Sequence, residues 1–98
     1  MSDNEGKVAA LMSETRRKII ATIVKKPKHI TQIAEELDLD RSTINYHLNL
    51  LEKVGLVTQQ YELIKERRSP GRIGSFFSIN SEKLEQAIEL AIRALSIT

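Results

Sequence analysis

The sequence predicts a mainly α-helical single domain that carries one small β-hairpin, an α+β fold. Three observations predict it. Apolar residues recur at helical spacing up to Gly55 and again after Asn80. Between those points the period changes from 3.6 to 2. A Gly/Pro turn studded with arginine then divides the period-2 region into two strands.

The elements follow in order. Val8, Leu11 and Met12 form a short apolar patch, read as a helical segment over 8–12. Ile19, Ile20, Ile23 and Val24 define a first core helix over 13–26, with Ser13 as its N-cap and Pro27 as its stop. Residues 31–55 read as two helices about a turn. The first starts at Thr31 and turns Ile33, Ala34 and Leu37 inward, and Asp38-Leu39-Asp40 makes the turn. Asp40 caps the second, whose Ile44, Leu48 and Leu51 lie at i, i+4 and i+7. Gly55 supplies the left-handed residue that helix C-termini favour. Residues 56–79 are the hairpin: Val57, Tyr61 and Leu63 share one strand face, Thr58, Gln60 and Glu62 the other, and Phe77 and Ile79 share a face of the return strand. From Asn80 or Ser81 a last helix over 80–98 places Leu84, Ala87, Ile88, Ala91, Ile92 and Leu95 on one apolar stripe.

Composition narrows the function. With 98 residues there is chain for one hydrophobic core. Only four residues are aromatic, so that core must be aliphatic. The absence of cysteine excludes disulfides, thiolate metal sites and a cysteine nucleophile. A cytoplasmic, nucleoid-associated address is expected, since no apolar run is long enough to span a membrane and the N-terminus lacks the order of a signal peptide. There is no Gly-rich phosphate loop, no His-Glu-x-x-His and no spacing that would support a Ser-His-Asp set. His29 and His47 have no partner at ligand spacing. The chain therefore reads as a non-enzyme without cofactor or metal.

A net charge of +2 conceals a segregated distribution. Seven bases fall between Lys7 and Lys28, and Lys65, Arg67, Arg68 and Arg72 crowd the hairpin turn. Residues 29–62 hold two bases against six acids. Segregation of this kind fits a surface that faces a polyanion.

Two helices joined by a tight turn, the second polar on its outer side, form a helix-turn-helix arrangement. The second helix must bury one stripe and offer the other to the DNA major groove. Ser42, Thr43, Asn45, Tyr46 and Asn49 fall on or near that outer side, and Asn suits adenine in particular. A solvated helix would also carry such residues, and an arginine turn alone would serve to protect a sheet edge. Their adjacency in one chain is what points to DNA. Thr43, Asn45, Tyr46 and Asn49 are assigned to base edges. Arg41, Ser42, Arg16, Arg17, Arg67, Arg68 and Arg72 are assigned to phosphates or a minor groove.

Residues 13–79 also resemble the winged helix-turn-helix domain of the arsenic-repressor-like (ArsR-type) transcription regulators of bacteria and archaea. The likeness rests on Ser13 to Ile20, on Ile33-Ala34-Glu35-Glu36-Leu37, and most of all on the run from Ser42 to Val57. It implies a recognition helix over 41–54, a wing over 67–74 and terminal helices that pair two subunits. Here that pairing would fall to Val8, Leu11, Met12, Leu84, Ala87, Ile88, Ala91, Ile92 and Leu95. Metal-sensing members carry cysteines in the helix before the recognition helix, or Asp and His on the last helix. This chain has neither, so the effector is left open. The expected function is a homodimeric, sequence-specific regulator of double-stranded DNA, most simply a repressor reading an inverted repeat. An architectural chromatin protein and a winged-helix protein–protein module are the alternatives.

Overall fold

The computed structural model describes residues 3–64 and 72–96. Its elements are α1 (Asp3–Ala10), α2 (Glu14–Ile23), β1 (Lys28–His29), α3 (Ile30–Leu37), α4 (Arg41–Lys53), β2 (Val57–Ile64), β3 (Arg72–Ile79) and α5 (Ser81–Ser96). The strands form one antiparallel sheet in the order β1-β3-β2, with Val57 opposite Ile79 and Gln59 opposite Phe77. The architecture is a winged helix-turn-helix: three helices over one face of a sheet whose long hairpin is β2–β3, with α1 and α5 packed on each other beside it.

Local chemistry sets the helix ends. Ser13 Oγ accepts the Arg16 N–H at 3.2 Å, and Asp40 Oδ1 accepts the Thr43 N–H at 2.7 Å. Asn80 Oδ1 does the same for Lys83 at 3.1 Å. Each satisfies a donor that the first turn of a helix leaves free. The turn between α3 and α4 is made by Asp38 in the left-handed region (φ 53°), with the Leu39 N–H returning to the Ala34 carbonyl at 3.1 Å. Gly55, at φ 83°, ends α4, where a residue with a Cβ would be strained.

One contiguous cluster of aliphatic side chains holds the elements together. Ile19, Ile23, Ile33, Ile44, Leu48, Leu51, Leu56 and Val57 are all less than 2% exposed. Phe77 adds the one buried aromatic ring among the described residues. α4 is thus anchored through Ile44, Leu48 and Leu51, which contribute three of the eight largest fully buried side chains.

Several boundaries differ from the sequence expectation, each for a physical reason. The N-terminal helix reaches back to Asp3, beyond residue 8, through a polar first turn that leaves no apolar periodicity to read. Gly6 lets that helix lie close to Val54: a Cβ there would come within 3.3 Å of Val54 Cγ1. The first core helix stops at Ile23, three residues short of Lys26, where Pro27 biases the residue before it toward extended backbone. α3 begins at Ile30, capped by His29, whose N–H donates to Gln32 Oε1 at 3.1 Å. β1 was not foreseen at all. Two residues carry no readable period, and it exists through its pairing with Phe76 and Phe77. Tyr61 has the inward parity of β2 but is 70% exposed, because the hairpin there has outrun the helices.

The α5 stripe is also divided. Leu84, Ala87 and Ala91 are buried inside the protomer, as is Leu11, and Val8 packs partly buried against the same core. α1 covers part of that side of α5, while Leu11, Leu84 and Ala91 still line the open groove beside it. Met12, Ile88, Ile92 and Leu95 remain exposed.

Candidate nucleic-acid interface

The outer side of α4 is polar and open. Arg41, Ser42, Asn45, Tyr46 and Asn49 are exposed, and Thr43 is half-buried. Asp40 organises the N-terminal turn from below, accepting from the Thr43 N–H and, at 3.2 Å, from the Ser42 hydroxyl. Hydrogen bonding from Thr43, then from Ser42, holds the Asp40 carboxyl below its ordinary range, so it stays an acceptor at neutral pH. The cap fixes Ser42 as well as the helix axis.

A cleft of about 410 Å³ opens between the N-terminal half of α4 and the sheet. Arg41, Ser42 and Asn45 form one wall, Gln59 of β2 and Ser75 of β3 the other, and Ile30 and Phe77 the floor. Gln59 and Ser75 were missed in the sequence. The signal was there: both are polar residues at positions where their strands otherwise turn apolar side chains inward.

The bases assigned to DNA contact divide into three groups. Arg41 stands at the mouth of the cleft. Arg67 and Arg68 lie outside the described residues, and of Arg72 only the backbone, at the start of β3, is described. Arg16 and Arg17 also make contacts within the fold. Arg16 Nε donates to the Ala10 carbonyl at 2.8 Å, and Arg17 Nη1 donates to the Leu11 carbonyl at 2.7 Å. They clamp the end of α1 to α2, closing carbonyls that a helix C-terminus leaves open.

Arg16 also reaches α4. Its Nη1 lies 3.2 Å from His47 Nδ1. A guanidinium has only donors, so Nδ1 must be the acceptor and the imidazole neutral, with its proton on Nε2. Burial, and then the Arg16 charge, lower the His47 pKa from the ordinary 6.5. As pH falls, the unfolded chain therefore takes up this proton before the folded one. The stabilising contribution is complete above about pH 6.5 and disappears as pH falls through the folded value. Wild-type protein should lose more melting temperature between about pH 7.5 and about pH 5.5 than His47→Gln, which keeps a neutral acceptor throughout. Equal losses would remove His47 from the account.

On another side, Leu11, Met12, Arg17, Ile20, Leu84, Ile88, Ala91, Ile92 and Leu95 line an apolar groove of about 490 Å³. Among the described residues there is no cluster of three or more potential metal ligands, and no helix long and apolar enough to cross a membrane.

Comparison with known proteins gives this geometry a family. A profile of the helix-turn-helix domain family matches residues 11–60, the span from the end of α1 into β2. The chain belongs to the helix-turn-helix domain family. Among curated proteins, an uncharacterized HTH-type transcriptional regulator from Methanocaldococcus jannaschii is 36% identical over 52 residues. That match takes in 53% of this helix-turn-helix chain but only 13% of the archaeal relative, which is a much longer protein. An ArsR-like transcriptional regulator from Rhodococcus superposes with a TM-score of 0.71 at 23% identity, covering 96% of this chain and 78% of its own. A homodimeric winged helix-turn-helix DNA-binding domain from Mycobacterium bovis superposes at 0.65 and 20% identity, covering 95% and 77%. The fold is the winged helix-turn-helix fold of ArsR-type regulators.

Proposed function

We propose that this chain is a homodimeric, sequence-specific double-stranded-DNA-binding regulator, acting most simply as a repressor. The observation that carries the reading is the division of α4. Ile44, Leu48 and Leu51 are wholly buried, while Arg41, Ser42, Asn45, Tyr46 and Asn49 stand exposed on the opposite side. A helix so anchored presents hydrogen-bonding side chains on a rigid rod that fits the major groove. Asn45, Asn49, Thr43 and Tyr46 take the base edges in this reading, and Arg41 and Ser42 the phosphates. The wing arginines Arg67, Arg68 and Arg72 take backbone or minor groove. Support for pairing comes from the exposed Met12, Ile88, Ile92 and Leu95, and from the homodimeric state of the Mycobacterium bovis domain. Two recognition helices related by a two-fold axis enter successive major grooves, about 34 Å apart, and so favour an inverted repeat. Such a protein works in the cytoplasm on the nucleoid.

The test is a comparison of Asn45→Ala and Asn49→Ala with wild type, by anisotropy titration on a selected duplex and on a random one. Each variant should lose about 1–3 kcal/mol on the selected duplex and little on the random one. Equal weakening on both duplexes would refute base readout, and a small ratio between the two for wild type would favour an architectural role.

A further inference from the structure

We infer that the cleft between α4 and the sheet is a seat for one sugar-phosphate unit of the DNA strand, with Gln59 and Ser75 as neutral donors opposite Arg41. The inference rests on the DNA-binding reading and extends it from the helix and the wing tip to the body of the sheet.

The register brings the two polar residues together. Gln59 is opposite Phe77, and Ser75, two residues earlier on β3, is opposite Tyr61, so Gln59 and Ser75 share the face turned toward α4. On that face Val57 and Phe77 are core, and polarity begins where the core ends. Both strands thus interrupt their apolar alternation at neighbouring positions, and both interruptions line one cleft. Neither side chain hydrogen-bonds within the protein among the described residues, nor do Arg41 and Asn45 across the cleft. Among the described residues the donors are therefore left for an external acceptor. None of the lining residues is acidic, and the floor of Ile30 and Phe77 offers an apolar surface to a deoxyribose ring. One guanidinium with neutral amide and hydroxyl donors is the chemistry of a single phosphodiester. Donors on paired strands would hold that phosphate in fixed register with the bases facing Asn45.

Salt dependence separates the roles. A contact by neutral donors releases no counterion, whereas losing one cationic contact flattens the slope of log affinity against log salt by about 0.9. The double variant Gln59→Leu/Ser75→Ala should bind a random-sequence duplex and a pool-selected duplex about ten-fold more weakly than wild type, with the slope unchanged. Arg41→Gln should weaken both and flatten the slope. Gln59→Glu, near-isosteric and on a half-exposed site, should weaken binding more than the double variant and guards against loss of folding in the latter. Ethylation interference should lose one phosphate per half-site in the double variant. Folded variants that bind both duplexes like wild type would overturn the inference while leaving the DNA-binding reading intact. Loss confined to the selected duplex would overturn it too, by making Gln59 a base reader. If wild type binds neither duplex, it is the reading beneath that has failed.

Discussion

Ile88→Glu/Ile92→Glu is expected to give a folded monomer whose DNA affinity collapses. The two side chains are 44% and 57% exposed in the protomer, so roughly half of each remains to be buried by a partner. Full burial of an isoleucine contributes about 1.5–3 kcal/mol, and half of that, over four side chains in a two-fold dimer, comes to about 3–6 kcal/mol. Dimer dissociation should rise by roughly a hundred- to ten-thousand-fold before any cost of burying the new charges. The monomer should keep its fold, because Leu84, Ala87 and Ala91, which hold α5 to the core, are untouched. Light scattering gives the mass, circular dichroism the fold and anisotropy the binding. A dimer of unchanged affinity would place the pairing face elsewhere.

Leu48→Ala should carry the largest cost to the fold. Leu48 is 0% exposed at the middle of α4, and truncation removes the transfer energy of its side chain and leaves a cavity. The penalty is about 2–5 kcal/mol, a large part of the total stability of a domain this size. At equal protein concentration the melting temperature should fall by roughly 10–20 °C. Asn49→Ala, one residue along on the exposed side, should leave it nearly unchanged. A similar loss from both substitutions would contradict the division of α4 on which the functional reading depends.

What was legible in the sequence was local. Ser13, Asp40 and Asn80 cap helices through side chains within three residues of the donor, and Gly55 ends α4 by its own backbone. The buried and exposed sides of α4 follow from the 3.6 period, and the α+β class from the change to period 2. What was not legible depends on partners distant in sequence. β1 exists because Lys28 and His29 meet Phe77 and Phe76. The α5 stripe is divided because α1 begins at Asp3, through a polar turn that gives no periodic signal. Arg16 and Arg17 looked like free charge, yet they bind the Ala10 and Leu11 carbonyls, groups that sequence patterns do not mark as open. Gln59 and Ser75 could have been found, since each is a polar residue on the inward face of its strand. Their significance depends on the strand register, which places both opposite the same helix.

The same long-range contacts join the two surfaces. The clamped end of α1 touches α4 through Arg16 and His47, and the apolar groove through Leu11 and Arg17. The proposed pairing face and the proposed reading face therefore share one structural joint.

Selection of bound duplexes from a random pool by the wild-type chain, repeated at two salt concentrations, tests the central claim most directly. The account predicts enrichment of an inverted repeat whose half-sites are centred about one helical turn apart, with affinity falling steeply as salt rises. Recovery of an unenriched pool, or of no duplex at all, would contradict it.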